Sequence, residues 1–307
     1  MSRSLAYHLL DVFTDRRFSG NPLAVVEDAD GVDASTLQAV AREFNLSETV
    51  FLLAPRDPVM TARIRIFTPT QELPFAGHPT IGAAALLAET RGLDALTRNG
   101  LVVALESDVG ALRCDALRGR SGVTYAELRF PGTPRPLGPT PSREALAAAL
   151  TLAPADIGFE ADCGAHVPSV YAAGPAFVFV PVASRAALDR ARPVAGAFGA
   201  VLGALPGAYL YTPETIDPAA AIHARMFAHG LGFEEDPATG AAAVAFAAVA
   251  QAFERPEEGE HELFIEQGHA MGRPSRITLR LWIAEGALAG VAIGGQAVRV
   301  GEGRLRI

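Results

Sequence analysis

The chain has 307 residues, half of them hydrophobic, and a formal net charge of −8. That length sets a prior of about two domains with ample apolar material for their cores, and the negative balance argues against a nucleic-acid or anionic-membrane partner. The basic residues are all arginine and scattered, and the two cysteines, Cys114 and Cys163, lie far apart with no CxxC spacing, which suits a reducing cytosol.

The start, "MSRSLAYHLLDVF", lacks the charged, apolar and cleavable regions of a secretory signal. Strand-like runs follow at 5–13, 22–26, 49–54 and 62–67, with "GNP" at 20–22 reading as a turn. Between them "ASTLQAVAREFN" (34–45) reads as an amphipathic helix stopped by Asn45. An alanine-rich helix begins at Pro79, and "LVVALE", "GALRCDA" and "YAELRF" after it have strand character. The proline-rich segment 133–152 feeds a helix capped by Ser142, and this shift in composition places the domain change near 118–135. The second half reads as a strand ("AFVFVPV"), helices over 185–204, the strands "GAYLYT" and "IHARMFA", a helix over 237–253, and strands from 262 to 307. "GGQ" at 294–296 reads as a turn. The charge-free stretch 193–213 has the roughly 20 residues of a membrane span, but Pro206 and four glycines interrupt it, so a buried helix, a turn and a strand are expected. Strands and helices mix without a βαβα alternation, which makes the class α+β.

One segment recurs. "RIFTPTQELPFAGHPTIGAAALLA" from Arg65 is similar to "RMFAHGLGFEEDPATGAAAVAFAA" from Arg225, and "PTIGAAA" after His78 matches "PATGAAA" after Asp236. Such a repeat predicts two halves of one architecture, with a strand, loop and helix duplicated. In each copy a titratable residue precedes a proline expected in the first helical turn, where its missing N–H costs nothing. The remaining free N–H groups and the helix dipole favour an anion. If the halves face each other, a carboxylate or enolate would lie beside an imidazole and a carboxyl group. Asp236 alone also reads as a plain helix cap. His78 is a poor cap, and an imidazole beside a helix N-terminus has a lowered pKa that keeps it neutral for proton relay.

"FNLSETVFLL" (44–53) places Glu48, flanked by Ser47 and Thr49, between a helix end and an apolar strand. Glu48 reads either as a surface glutamate on a turn or as a desolvated acid–base group. No nucleotide-binding, nucleophile-elbow or zinc motif occurs, and seven dispersed histidines predict no metal site. "EQGHAMGRPS" (266–275) reads as a turn from which His269, Gly272 and Arg273 could reach a site or a second subunit.

Five stretches in order, "DVFTDRRFSGNPLAVV", "AREFNLSETVFL", "IRIFTPTQELPFAGHPTIGAA", "DPATGAAA" and "EQGHAMGRPS", resemble the PhzF-like phenazine-biosynthesis isomerase family over essentially the whole chain. The resemblance implies a diaminopimelate-epimerase-like fold: two pseudo-symmetric domains, each a barrel-like sheet around a central helix, with the active site between them. It also implies a homodimer and a last strand that returns to the first domain, while the composition and cysteine usage point to a cytoplasmic protein. The domains expected are therefore 1–118 with about 298–307, and 119–297. In the epimerases of that fold two cysteines exchange protons at the helix N-termini. Here "GHP" and "DPATG" stand in those places, which argues against a two-cysteine racemase.

Carried across, the resemblance makes Glu48 the general acid/base, assisted by His78 and Asp236. Ser47, Gly77, Gly240 and Ala241 bind substrate, the last three through amides on its oxyanions. The chain departs from the phenazine enzyme at Ala241, where that enzyme has serine, and at Phe177, where it has histidine. The expected activity is a cofactor-independent isomerase moving a proton within a small carboxylate-bearing metabolite. The rivals are an epimerase or racemase using Glu48 and Asp236 as opposed bases, and a non-catalytic metabolite-binding protein.

Overall fold

A computed structural model describes residues 3–119 and 121–307, with the side chains of Arg98 and Leu231 outside the description. The chain forms two compact units: one runs to Arg129 and is completed by Gly294–Ile307, the other is Phe130–Ile293. The first contains β1 (Ser4–Val12), β2 (Asn21–Val26), α1 (Ala34–Phe44), β3 (Glu48–Leu53), β4 (Ala62–Phe67), β5 (Glu72–Leu73), α2 (Gly77–Arg91), α3 (Leu93–Arg98), β6 (Leu101–Ser107), β7 (Gly110–Arg118) and β8 (Thr124–Arg129). The second contains β9 (Arg135–Pro136), α4 (Arg143–Ala149), β10 (Phe159–Ala161), β11 (Gly164–His166), β12 (Ser169–Ala172), β13 (Ala176–Pro181), α5 (Arg185–Arg190), α6 (Ala197–Leu202), β14 (Ala208–Thr212), β15 (Ile222–Phe227), β16 (Glu235–Asp236), α7 (Gly240–Phe253), β17 (Gly259–Gln267) and β18 (Ser275–Ala284). The long β19 (Ala287–Arg306) then leads back into the first unit.

In the first unit β1 pairs antiparallel with β2, β2 parallel with β3, β3 antiparallel with β4, β4 parallel with β6, and β6 antiparallel with β7. β8 continues from β7, and β19 pairs with both β8 and β1, so among the described residues eight strands close a ring. α2 lies inside. Its residues from Gly77 to Ala88 are all buried, as expected of a helix that is apolar all round. Small side chains let it fit: a Cβ on Gly82 would come within 2.4 Å of Leu23 Cδ2 and 2.8 Å of Val12 Cγ2.

The second unit repeats the order of pairings: β12 antiparallel with β13, β13 parallel with β14, β14 antiparallel with β15, β15 parallel with β17, and β17 antiparallel with β18. Its central helix, α7, is buried from Gly240 to Ala250. The repetition extends to single bonds. Thr61 N–H donates to Ala104 O, and Ala221 N–H, 160 positions on, donates to Phe264 O, both at 2.7 Å. Arg65 forks onto Glu72 and Arg225 onto Glu235 in the same bidentate way. The fold is α+β with two similar halves, each a barrel-like sheet around a helix.

Local signals behave as their chemistry dictates. Asn45 ends α1 in the left-handed conformation and Ser142 caps α4 by accepting from Ala145 N–H. Two readings change. The chain leaves the first unit after Arg129, inside the expected 118–135 stretch but past 118, the expected end of the first domain, because β8 pairs along its length with β7. "GGQ" is part of β19 and not a turn; a Cβ on Gly294 or Gly295 would meet Tyr125 or Phe13 within 2.4 Å, so the strand has room only for glycine there. The helices expected over 185–204 are α5 and α6, with Pro193 in the break between them. No helix among the described residues is long and apolar enough to cross a membrane.

Candidate active site

In the first unit, alternation along β3 decides where Glu48 points. Phe51 packs with Leu37, Val40 and Ala41 of α1 on one face, so Glu48, Val50 and Leu52 face the other. There Glu48 Oε2 lies 3.4 Å from Nδ1 of His78, and both residues are buried. Glu48 is therefore not an exposed turn residue. Ser47 is half-buried at the bend immediately before it. On β2, Asn21 shares the inward phase with Leu23, and its Nδ2 is 3.3 Å from the same His78 nitrogen. Asn21, expected in a turn, is fully buried at the start of a strand. The sequence carries a signal for it: an amide two residues before Leu23 on the inward phase of an otherwise apolar strand.

His78 is the second residue of α2, behind Gly77 and the N-cap Ala76, and no side chain among the described residues caps this end. Burial pushes the imidazole down to about 3, so it is neutral at neutral pH. The cause is desolvation by the barrel wall, where the helix dipole was expected. A neutral imidazole makes the contact with Glu48 one between a carboxyl group and a neutral ring, not a salt bridge. Nδ1 thus faces both the Asn21 amide and the Glu48 carboxyl group, and Nε2 is buried with no hydrogen-bond partner among the described residues.

This has a consequence for stability. Unfolding raises the imidazole to its ordinary value near 6.5, so between that pH and about 3 the unfolded chain binds the extra proton. Stability contributed by the buried neutral ring is complete above the unfolded value and declines as pH falls through this window, by up to about 1.4 kcal/mol per pH unit. Urea midpoints measured from pH 7 to pH 5 should drop more steeply in the wild type than in His78→Asn. Equal slopes would contradict a neutral buried His78.

In the second unit Asp236 ends β16, opposite Met226 of β15. It is buried, and Oδ2 accepts from the Thr239 hydroxyl at 2.6 Å. The sequence match of His78–Pro79 with Asp236–Pro237 does not extend to conformation. Pro79 is the third residue of α2, whereas Pro237 precedes the N-cap Thr239 and lies outside α7. By strand register the counterpart of Asp236 is Leu73, since Ile66 pairs with Leu73 as Met226 pairs with Asp236. Four residues wind back from Leu73 to His78 in one unit, whereas Asp236 meets its proline directly in the other. Gly240 and Ala241 are the first two residues of α7, both buried, and no side chain among the described residues caps that end either. Each barrel therefore presents a helix N-terminus whose N-cap side chain makes no capping bond, beside a buried polar side chain, an arrangement suited to an anion.

"EQGHAMGRPS" reaches the Asp236 segment through Gln267 and Gly268, while the His269 ring lies tilted beside that of His223 with centroids 5.1 Å apart. Phe177 is buried within β13. Cys114 is buried in β7, where desolvation pushes its thiol up to about 12, and Cys163 is exposed. Neither shares an element with Glu48, His78 or Asp236, so thiol-based proton exchange finds no support. No group of three or more potential metal-ligating side chains occurs among the described residues.

The chain matches the family described as phenazine biosynthesis-like protein over residues 10–303. It is 46% identical to an uncharacterized isomerase of Mesorhizobium japonicum, with 98% of each chain covered. It is 34% identical to the trans-2,3-dihydro-3-hydroxyanthranilate isomerase of Pseudomonas aeruginosa, covering 97% of this chain and 98% of that one. Among solved structures, a PhzF-family phenazine biosynthesis protein of Bacillus anthracis superposes with a TM-score of 0.86 at 27% identity, covering 99% and 100% of the two chains.

Proposed function

The chain belongs to the phenazine biosynthesis-like family and is an isomerase, and on that premise we propose that it moves a proton within a small carboxylate-bearing metabolite by general acid/base catalysis. The observation that carries this reading is the buried Glu48 beside a neutral imidazole. Glu48 removes a proton from a carbon made acidic by conjugation to a carboxylate or carbonyl, then returns it at another carbon on the same face. Carrying one proton between two carbons requires a single carboxyl group shielded from bulk water, and the inward phase of β3 supplies that shielding. Neutral His78 polarises or relays without introducing charge, and Asn21 fixes its ring. Asp236 supports proton transfer. The amides of Gly77, Gly240 and Ala241 hold the developing oxyanion, with Ser47 contacting substrate beside Glu48. The proposal includes a homodimer and no cofactor, both carried from the family resemblance.

Ala241 bears on the substrate. It sits in the first turn of α7 where the phenazine enzyme has a serine, so this chain offers the substrate an amide there without a hydroxyl. Calorimetry with 3-hydroxyanthranilate tests the carboxylate-binding part of the reading. Wild type and Glu48→Gln should bind alike, because glutamine keeps the shape. Ala241→Ser should bind about fivefold tighter, the worth of roughly 1 kcal/mol for one net hydrogen bond. Absence of binding in all three proteins would remove hydroxyanthranilate-like carboxylates as the substrate class.

A further inference from the structure

Between the end of β16 and the start of α7 the backbone has no regular partner. Asp236 is the last residue of the strand, Pro237 has no N–H to give, and Thr239 is extended at φ −104° and ψ 90°. Thr239 N–H, which is buried, therefore lies outside both ladder and helix, and Asp236 O, which faces Met226 in the ladder, has a lone pair left for a second donor. One side chain meets both. Gln267 Nε2 donates to Asp236 O at 2.7 Å, and Thr239 N–H donates to Gln267 Oε1 at 3.1 Å. A second Nε2 contact reaches Thr239 Oγ1 at 3.2 Å. That hydroxyl, having accepted from Gln267, directs its own hydrogen to Asp236 Oδ2 at 2.6 Å.

Gln267 is fully buried at the end of β17, in phase with Ile265 and on the strand that pairs parallel with β15. The backbone behind it is pressed against the same loop: a Cβ on Gly268 would lie 2.6 Å from Pro237 O and 2.3 Å from Arg273 O. At the corresponding place in the first unit a serine stands where Gln267 does. Ser107, which follows Glu106 as Gln267 follows Glu266, spends its hydroxyl on Gly110 O within its own hairpin.

We infer that Gln267 is a positioning residue: its amide holds the Asp236–Thr239 segment extended and, through the Thr239 hydroxyl, fixes the direction of the Asp236 carboxyl group. The inference rests on the reading of Asp236 as a supporting group in proton transfer. The family match identifies the enzyme class without assigning Gln267 any part in it.

The test uses the full chain with Gln267→Leu, Gln267→Glu and Thr239→Val, and Glu48→Gln as a control. Amide hydrogen exchange is followed without ligand, and turnover is measured with trans-2,3-dihydro-3-hydroxyanthranilate. In Gln267→Leu the Thr239 amide should exchange about ten- to hundredfold faster, as a buried donor without its acceptor does, while residues 244–250 of α7 keep their protection. Gln267→Glu still accepts from Thr239 N–H and cannot donate to Asp236 O, so the amide should stay protected. Turnover should fall in both by about ten- to hundredfold, as kcat with KM within about twofold. Thr239→Val should add little to Gln267→Leu, because the two act in one chain of hydrogen bonds. Unchanged Thr239 exchange in Gln267→Leu would overturn the clamp, and so would faster exchange throughout α7, which marks a general packing role. Wild-type kcat in both Gln267 variants beside an inactive Glu48→Gln would overturn the positioning role while leaving the Glu48 reading intact. A fully active Glu48→Gln would instead remove that reading, leaving the clamp supported by the exchange data.

Discussion

Replacing Glu48 by glutamine should leave the protein folded and able to bind substrate while turnover falls by at least about a hundredfold to ten-thousandfold, the range that general acid–base catalysis contributes. The expectation follows from the position of the side chain. Glu48 is on the inward phase of β3, buried, and 3.4 Å from an imidazole that burial keeps neutral. Glutamine fills the same volume and cannot accept a proton, so the variant isolates the titrating oxygen. His78→Asn and Asp236→Asn should each cost less, because they polarise and orient without carrying the substrate proton. Steady-state kinetics on trans-2,3-dihydro-3-hydroxyanthranilate, or on any substrate the chain isomerises, separates these cases. Full activity in Glu48→Gln would move the base role to Asp236.

The second large effect concerns stability. Both units fork an arginine onto a glutamate, but burial differs: the side chains are 3% and 15% exposed for Arg225 and Glu235, against 18% and 31% for Arg65 and Glu72. Arg225 also donates from Nη1 to the carbonyls of Leu188, Asp189 and Ala191, tying the end of α5 to β15. Removing one partner of a buried pair strands the other charge at a cost of about 3–5 kcal/mol, whereas a more accessible pair is worth about 1 kcal/mol or less. Glu235→Ala should therefore lower the urea midpoint of the second unit far more than Glu72→Ala lowers that of the first. Because Glu235 precedes Asp236 in β16, some loss of turnover should accompany it. Equal destabilisation by the two variants would show that burial does not set the value of these pairs.

Much of this was legible in the sequence. The match of "PTIGAAA" with "PATGAAA" exposed the duplication, because small residues are what lets a helix enter a closed ring of strands, and the glycines and alanines of α2 and α7 are buried accordingly. The place of Glu48 between a helix stop and an apolar strand left a surface turn residue and a desolvated acid–base group both open, and the family resemblance selected the second. What remained hidden required pairing information. Asn21 looked like a turn residue because "GNP" has turn composition, and only the register of β2 beside β1 and β3 makes it an inward-facing amide. Gln267 was invisible for a related reason: its three partners lie about 30 positions upstream, beyond any local pattern. The equivalence of His78 and Asp236 failed in conformation because the alanine-rich helices match in sequence while the connections into them differ in length.

In a single-carboxyl shuttle one hydrogen leaves one carbon and arrives at another. The most direct measurement is turnover in deuterated water, beginning with trans-2,3-dihydro-3-hydroxyanthranilate and extending to related small cyclic amino- and hydroxycarboxylates, with the label located by NMR. A single shuttling carboxyl group predicts a positional isomer, with the incoming hydrogen or deuterium on a carbon other than the one deprotonated and none gained in Glu48→Gln. Deuterium at the same carbon with inverted configuration would contradict it, and would identify an epimerase working with two opposed bases.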